Sequence, residues 1–224
     1  MNRLDLAQRI RIECAIGGSG PSSTTNQEGE YLRIINWLDT AYESIQTRRA
    51  DWSYLRDDFE SDALVSGQDV YTPAQLGIDD FSNWFPHDFK LHIGSFSNEQ
   101  LMSYIPWNDF RLSYLLGSNR TTEGRPVVWT IKPNKSIQFS PVPNQAFIVN
   151  GEYFKKPDVM TEDDDEPVFP DWFHMAIVWR AIIYYSPYAA EADRWLQGKQ
   201  EYADLMRRLT KDQTPAYTYG APLA

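Results

Sequence analysis

The sequence predicts an α+β protein: mainly an antiparallel helical bundle, with an inserted β-rich lobe and an extended C-terminal tail. Three observations carry this. Apolar residues recur at helical spacing near both ends of the chain, short β-branched and aromatic runs alternate between turn signals in the middle, and no period of either kind follows Leu209. The expected segments are 1–57 for the first part of the bundle and 58–157 for the β-rich insert. Residues 158–209 then give the second part of the bundle and 210–224 the tail.

Leu4, Ala7, Ile10 and Cys14 place one apolar stripe on a first helix from Leu4 to Ile16, stopped at Gly17-Gly18. The loop from Gly17 to Thr25 is rich in Gly and Ser. It lacks the Gly-Lys-Ser/Thr that would make it a phosphate cradle, so it reads as a linker. A second helix spans Asn26–Arg49, with Asn26 as its cap and Tyr31, Ile34, Ile35, Leu38, Ala41, Tyr42 and Ile45 on its apolar face. Asp51, Trp52, Tyr54 and Leu55 form an aromatic plug at its end.

In the insert, Phe89, Leu91 and Ile93 alternate with Lys90 and His92, as in a half-buried strand. Residues 98–104 and 108–116 read as helical, divided by Pro106. Residues 126–131, 136–140 and 147–154 read as three strands of an antiparallel meander, with turns at Pro133-Asn134 and Pro141–Asn144. From Pro157 to Asp171 the chain holds seven acidic residues and no Lys or Arg, which reads as a solvated loop. A third helix starts near Pro170-Asp171 and ends or kinks at Pro187. It is apolar almost all round, hence buried on most sides. A fourth runs from Ala189 to Leu209.

The net charge of −10 excludes a broad basic footprint for gripping nucleic acid. The lone Cys14 excludes a disulfide framework or a cysteine metal cluster. Arg3, Arg9 and Arg11 break up the first residues, so they do not read as a signal peptide, and no run approaches the roughly 18 apolar residues of a membrane span. The three histidines fall at 87, 92 and 174. His87 and His92 read as surface residues on opposite faces of a strand, and His174 as a structural residue near an acid. No Gly-x-Ser-x-Gly or His-Glu-x-x-His stands in the chain. Acidic pairs such as Asp57-Asp58 and Asp79-Asp80 could suggest a two-carboxylate glycosidase, but neighbours on a strand point apart and such pairs are common on solvated surfaces. The sequence therefore calls for no catalytic residue, no metal and no cofactor. Aromatic residues are abundant, with 8 Trp and 13 Tyr, and serve cores or interfaces. Trp84, Trp107 and Trp129 motivate an alternative reading as a carbohydrate- or receptor-binding component.

Three ordered stretches carry a resemblance. The first is Leu6–Arg11, a Gly/Thr loop, then Ile34–Tyr42 closing on Asp51-Trp52. The second is Gly124-Arg125-Pro126 with Ile137–Asn144 and Tyr153–Pro157. The third is an acidic loop followed by Phe169–His174 and Ile177–Ala181. Together they resemble the head-to-tail adaptor, or connector, proteins of tailed bacteriophages, over residues 4–209. The resemblance implies a structural protein of the virion neck, made in the host bacterial cytoplasm. It implies a homo-oligomeric ring of twelve subunits, bound to the portal protein on one side and to tail, nozzle or stopper proteins on the other. Genomic DNA would pass through the lumen without sequence-specific binding, and no membrane is involved. It also implies that the C-terminal segment reaches the portal, which makes Tyr217, Tyr219, Pro222 and Leu223 the candidate portal-binding residues. The acidic residues 162–166 are expected to face lumen or solvent. Residues 88–124 match little in the family.

Overall fold

The first helix, α1 (Arg3–Glu13), forms because Asn2 caps it: its side chain accepts from Asp5 N–H while Asp5 accepts from Asn2 N–H. The helix ends before Gly17. Ala15 takes the left-handed conformation (φ 53°), with Ala15 N–H bonded to Ile12 O and Ile16 N–H to Arg11 O. These two bonds close a Schellman turn on alanine, where glycine is the usual occupant. The computed structural model describes residues 1–189 and 192–214, and all that follows concerns these. The chain divides into two compact units, Met1–Leu55 with Pro157–Ala224, and Arg56–Lys156. Together they make the protein α+β.

The first unit holds α1, α2 (Gly29–Gln46), α4 (Met175–Ala189) and α5 (Ala192–Gln213), with α3 (Trp107–Tyr114) lying in the other unit. The expected apolar face of α2 is buried from Ile34 to Ile45, against Leu6, Ala7 and Ile10 of α1 and Ile177, Ala181 and Ile182 of α4. Asn26 is not its cap: it sits in the left-handed region (φ 54°), and Glu28 occupies the cap position without a side-chain bond. A single turn, Asp171–Phe173, precedes α4, which is buried nearly all round and continues past Pro187. Gly198 lets α5 approach α4 closely, since a Cβ there would already touch Trp179 O and Ile183. α5 runs to Gln213, one turn beyond the expected stop at Leu209.

The acidic stretch is not a free loop. Arg3 is 7% exposed. Its guanidinium donates to both oxygens of Asp39 (3.3 and 2.9 Å), to Thr24 Oγ1 (3.1 Å) and to Thr161 O (2.6 Å). Arg3 N–H and Leu4 N–H donate to the carbonyls of Asp165 and Asp163. Asp163 accepts from the Thr24 amide and hydroxyl, and Asp165 from the amides of Thr161 and Glu162. These bonds hold both carboxyls below the usual carboxylate range. Asp158 accepts from Tyr42 Oη, and its backbone exchanges two bonds with Gln46. Glu162, Asp164 and Glu166 remain exposed.

The second unit contains β1 (Arg56–Glu60), β2 (Val70–Tyr71), β3 (Phe81–Trp84), β4 (Lys90–Ile93), β5 (Ser95–Leu101), β6 (Ser103–Tyr104), α3 (Trp107–Tyr114), β7 (Glu123–Gly124), β8 (Val128–Ile131), β9 (Ile137–Ser140), β10 (Val142–Pro143) and β11 (Ile148–Lys155). One sheet runs β1-β11-β4-β5, with β3 also on β11; the other runs β2-β9-β8-β6; β7 and β10 make a small parallel pair. The expected meander is thus wrong at its third strand. β8 and β9 pair antiparallel, but the 147–154 segment crosses into the other sheet to sit between β1 and β4. Residues 98–104, expected helical, are strand. Gly94 turns the chain with φ 64°, and the Asn98 side chain staples the hairpin by bonding both N–H and C=O of Ile93. The two main sheets meet at Phe89, which stacks on Trp129 (3.8 Å, 3°) while its other surroundings include Gly151 of β11. Phe59, Trp84 and Tyr153 complete this aromatic core.

Two outcomes test this packing by chemical denaturation. A Cβ on Gly151 would run into the Phe89 ring, so Gly151→Ala should lower stability by about 1–3 kcal/mol. Arg3→Met should cost about 2–3 kcal/mol, less than a fully orphaned buried charge because the Asp39 side chain keeps 38% of its surface in water.

Candidate interaction surfaces

The titratable groups that would mark an active site are spent on structure. Asp57 on β1 pairs with Lys155 on β11 (3.0 Å), which holds its carboxyl low, and Asp58 points the other way. Asp80 accepts from Tyr153 Oη (2.8 Å), and Asp79 is exposed beside it. The remaining carboxyls with a displaced pKa, Asp51 and Glu99, are also lowered, by Arg49 and Asn150 first of all. None of these is poised as a general acid.

His87 is exposed and lies outside the strands, while His92 is 3% exposed and packs against the Phe96 ring. His87 is thus exposed as expected, but the two histidines do not flank one strand, and His92 is buried. At this point β4 is buried on both faces, so the polar side of its alternation goes inside too. His174 is fully buried. Its Nδ1 lies 3.1 Å from the Met1 amino group and its Nε2 3.0 Å from Phe169 O. An ammonium donates only, so Nδ1 accepts and Nε2–H donates, which defines the neutral tautomer. Asp171, the expected acid, stands at 3.6 Å but is largely in water. Burial pushes the His174 pKa down.

Trp84 and Trp129 are core residues, 2% and 0% exposed, and Trp84 Nε1 donates to Lys135 O. Two of the three rings that motivated a carbohydrate-binding reading are therefore inaccessible. Trp107 is half-buried and lines a cleft of about 430 Å³ with Asp69, Arg120, Glu123, Lys132 and Gln138, a mixture of opposite charges. In the helical unit, Trp37 packs edge-on to Tyr185 and beside Tyr188, which Arg33 covers at 4.4 Å. Arg33, Asn36, Trp37 and Tyr188 line a shallow groove of about 330 Å³. Trp172, Trp195 and Leu196 are exposed on the same unit. Trp, Tyr and Arg are the residues that dominate protein interfaces. The helical period located these side chains on their helices but did not tell which lay outside.

The candidate portal-binding residues Tyr217, Tyr219, Pro222 and Leu223 lie outside the described residues. The chain leading to them is anchored: Ser53 Oγ donates to Gln213 O (2.8 Å) and Thr214 N–H to Thr210 O. Among the described residues no group of three or more His, Cys, Asp or Glu could hold a metal ion, and no helix is long and apolar enough to cross a membrane.

An α+β protein whose Trp, Tyr and Arg side chains emerge on its surface is suited to contacts with other proteins. Comparison with known proteins agrees. The whole chain, residues 1–224, matches the family described as SU10 adaptor protein, and the chain belongs to that family of phage adaptor proteins. No curated protein matches it.

The buried His174 sets a pH dependence. Its folded pKa lies below the ordinary value of about 6.5, so the unfolded chain binds the proton more tightly. Stability should be full above pH 6.5 and fall as pH drops below it. Thermal melts between pH 7.5 and 5 should show this decline, and His174→Gln should flatten it.

Proposed function

We propose that this chain is a structural head-to-tail adaptor of the virion neck, forming a ring of twelve subunits between the portal and the tail. The observation that carries the reading is the family match over the full length. In this reading the helical unit forms the body of the ring and the β-rich unit a lobe inserted into it. The tail after Thr214 reaches the portal through Tyr217, Tyr219, Pro222 and Leu223, a segment with side-chain anchors and too few residues for a core of its own. Tail, nozzle or stopper proteins occupy the other side, and genomic DNA passes through the lumen. The charge of −10 suits such a duct, because a basic wall would bind phosphates and slow the passage of DNA. The adaptor carries out no chemistry and needs no cofactor.

Electron microscopy of the purified chain mixed with portal should show rings of the adaptor seated on portal rings. Deleting residues 215–224, or substituting Tyr217 and Tyr219 by Ala, should weaken co-purification with portal at least tenfold and leave the melting temperature unchanged. A chain that stays monomeric in the presence of portal refutes the proposal.

A further inference from the structure

In the β-rich unit, the path β1-β11-β4-β5 ends at β5, and the second sheet ends at β6. Residues 95–104 therefore run along two sheet edges in succession. A free edge is a row of unpaired backbone donors and acceptors, and only another extended strand satisfies it. Proteins usually blunt such edges with Lys, Pro or an inward charge. β5 has neither Lys nor Pro, and its one charge, Glu99, is engaged by Asn150 (2.9 Å) and Lys90 (3.5 Å). The one irregularity is a shift of the β4–β5 register between Leu91 and Ile93.

The surroundings are apolar. Among the described residues, six of fifteen exposed large hydrophobic residues fall between 96 and 127: Phe96, Leu101, Tyr104, Leu112, Leu116 and Val127. Exposed apolar side chains concentrated in this way suit a contact surface. Leu112 and Leu116, 74% and 71% exposed, are one helical turn apart along α3 and its end. The same stretch is electrically balanced, with Glu99, Asp109 and Glu123 against Arg111, Arg120 and Arg125, so the whole excess of −10 lies elsewhere in the chain.

We propose that residues 95–127 bind a second copy of this chain, with the β5 edge of one copy against the β1 edge of the next. Copies that each carry −10 repel across most of their surface, and a balanced, apolar patch is where they approach without that cost. Each copy also brings the required strand. Among the described residues β1, at the opposite end of the same sheet, pairs with β11 alone. It presents Asp58 and Glu60 outward, and β5 meets these acceptors with the hydroxyl of Ser97 and the amide of Gln100. Joining two different edges is a head-to-tail contact, the kind that closes into rings. The inference deepens the ring reading above and rests on it.

The test uses the full chain and needs no partner of unknown identity. Mixing Ser97→Cys chains with Asp58→Cys chains under mild oxidation should give a covalent dimer at least tenfold faster than either chain alone. The native Cys14 is buried and serves both as background. In parallel, Phe96→Glu with Leu112→Glu, both at exposed positions, should reduce assembly measured by light scattering at least tenfold while the monomer keeps its circular dichroism and melting temperature. Rings that form undiminished in this variant, or Ser97→Cys chains that cross-link only to each other, overturn this interface and leave the ring reading standing. A wild-type chain that stays monomeric, alone and with portal, overturns both.

Discussion

The helical unit depends on one buried guanidinium. Its four helices come from two stretches of chain separated by the hundred or so residues of the β-rich unit, and no covalent feature besides the backbone joins them. Arg3 does so by chemistry available to no other side chain: several N–H donors in a rigid plane, aimed at once at α2, the loop before it and the acidic stretch that precedes α4. The carbonyls of Asp163 and Asp165 then take the first amides of α1, which satisfies donors that a helix start leaves free. Burying that charge is tolerable because Asp39, Thr24 and Thr161 take up its hydrogen bonds.

This changes the meaning of the acidic stretch. Seven carboxylates between 158 and 171 without a cation read as a solvated loop, and five of them are exposed. Asp158, Asp163 and Asp165 accept hydrogen bonds from Tyr42, Thr24 and nearby amides. The stretch is a seam with an acidic outer rim.

The β-rich unit follows a different logic. Its aromatic side chains go inward, where Phe89 lies flat on Trp129 and a glycine in β11 leaves room for the ring. Rings that are abundant in the sequence are therefore scarce on this unit's surface. What remains outside is the strand edge at 95–104 and the leucines of α3. Surfaces rich in Trp, Tyr, Arg and Leu suit protein contacts, in keeping with membership of a phage adaptor family.

The sequence by itself determined the α+β class, the buried faces of α2 and α4, and the pairing of β8 with β9. In each, a local period of 3.6 or 2 records which side of an element meets the core. It also carried the ordered set of stretches that resembles the adaptor family. It misplaced the cap of α2, because Asn at that position can serve equally in a left-handed turn, and it read 98–104 as helix, because the Asn98 staple is visible only with Ile93 beside it. Burial of His92, Trp84 and Trp129, the crossing of β11 into the other sheet, and the Arg3 clasp were decided by tertiary structure alone. Each depends on residues 21 to 158 positions apart meeting in space, and no local pattern records such a meeting.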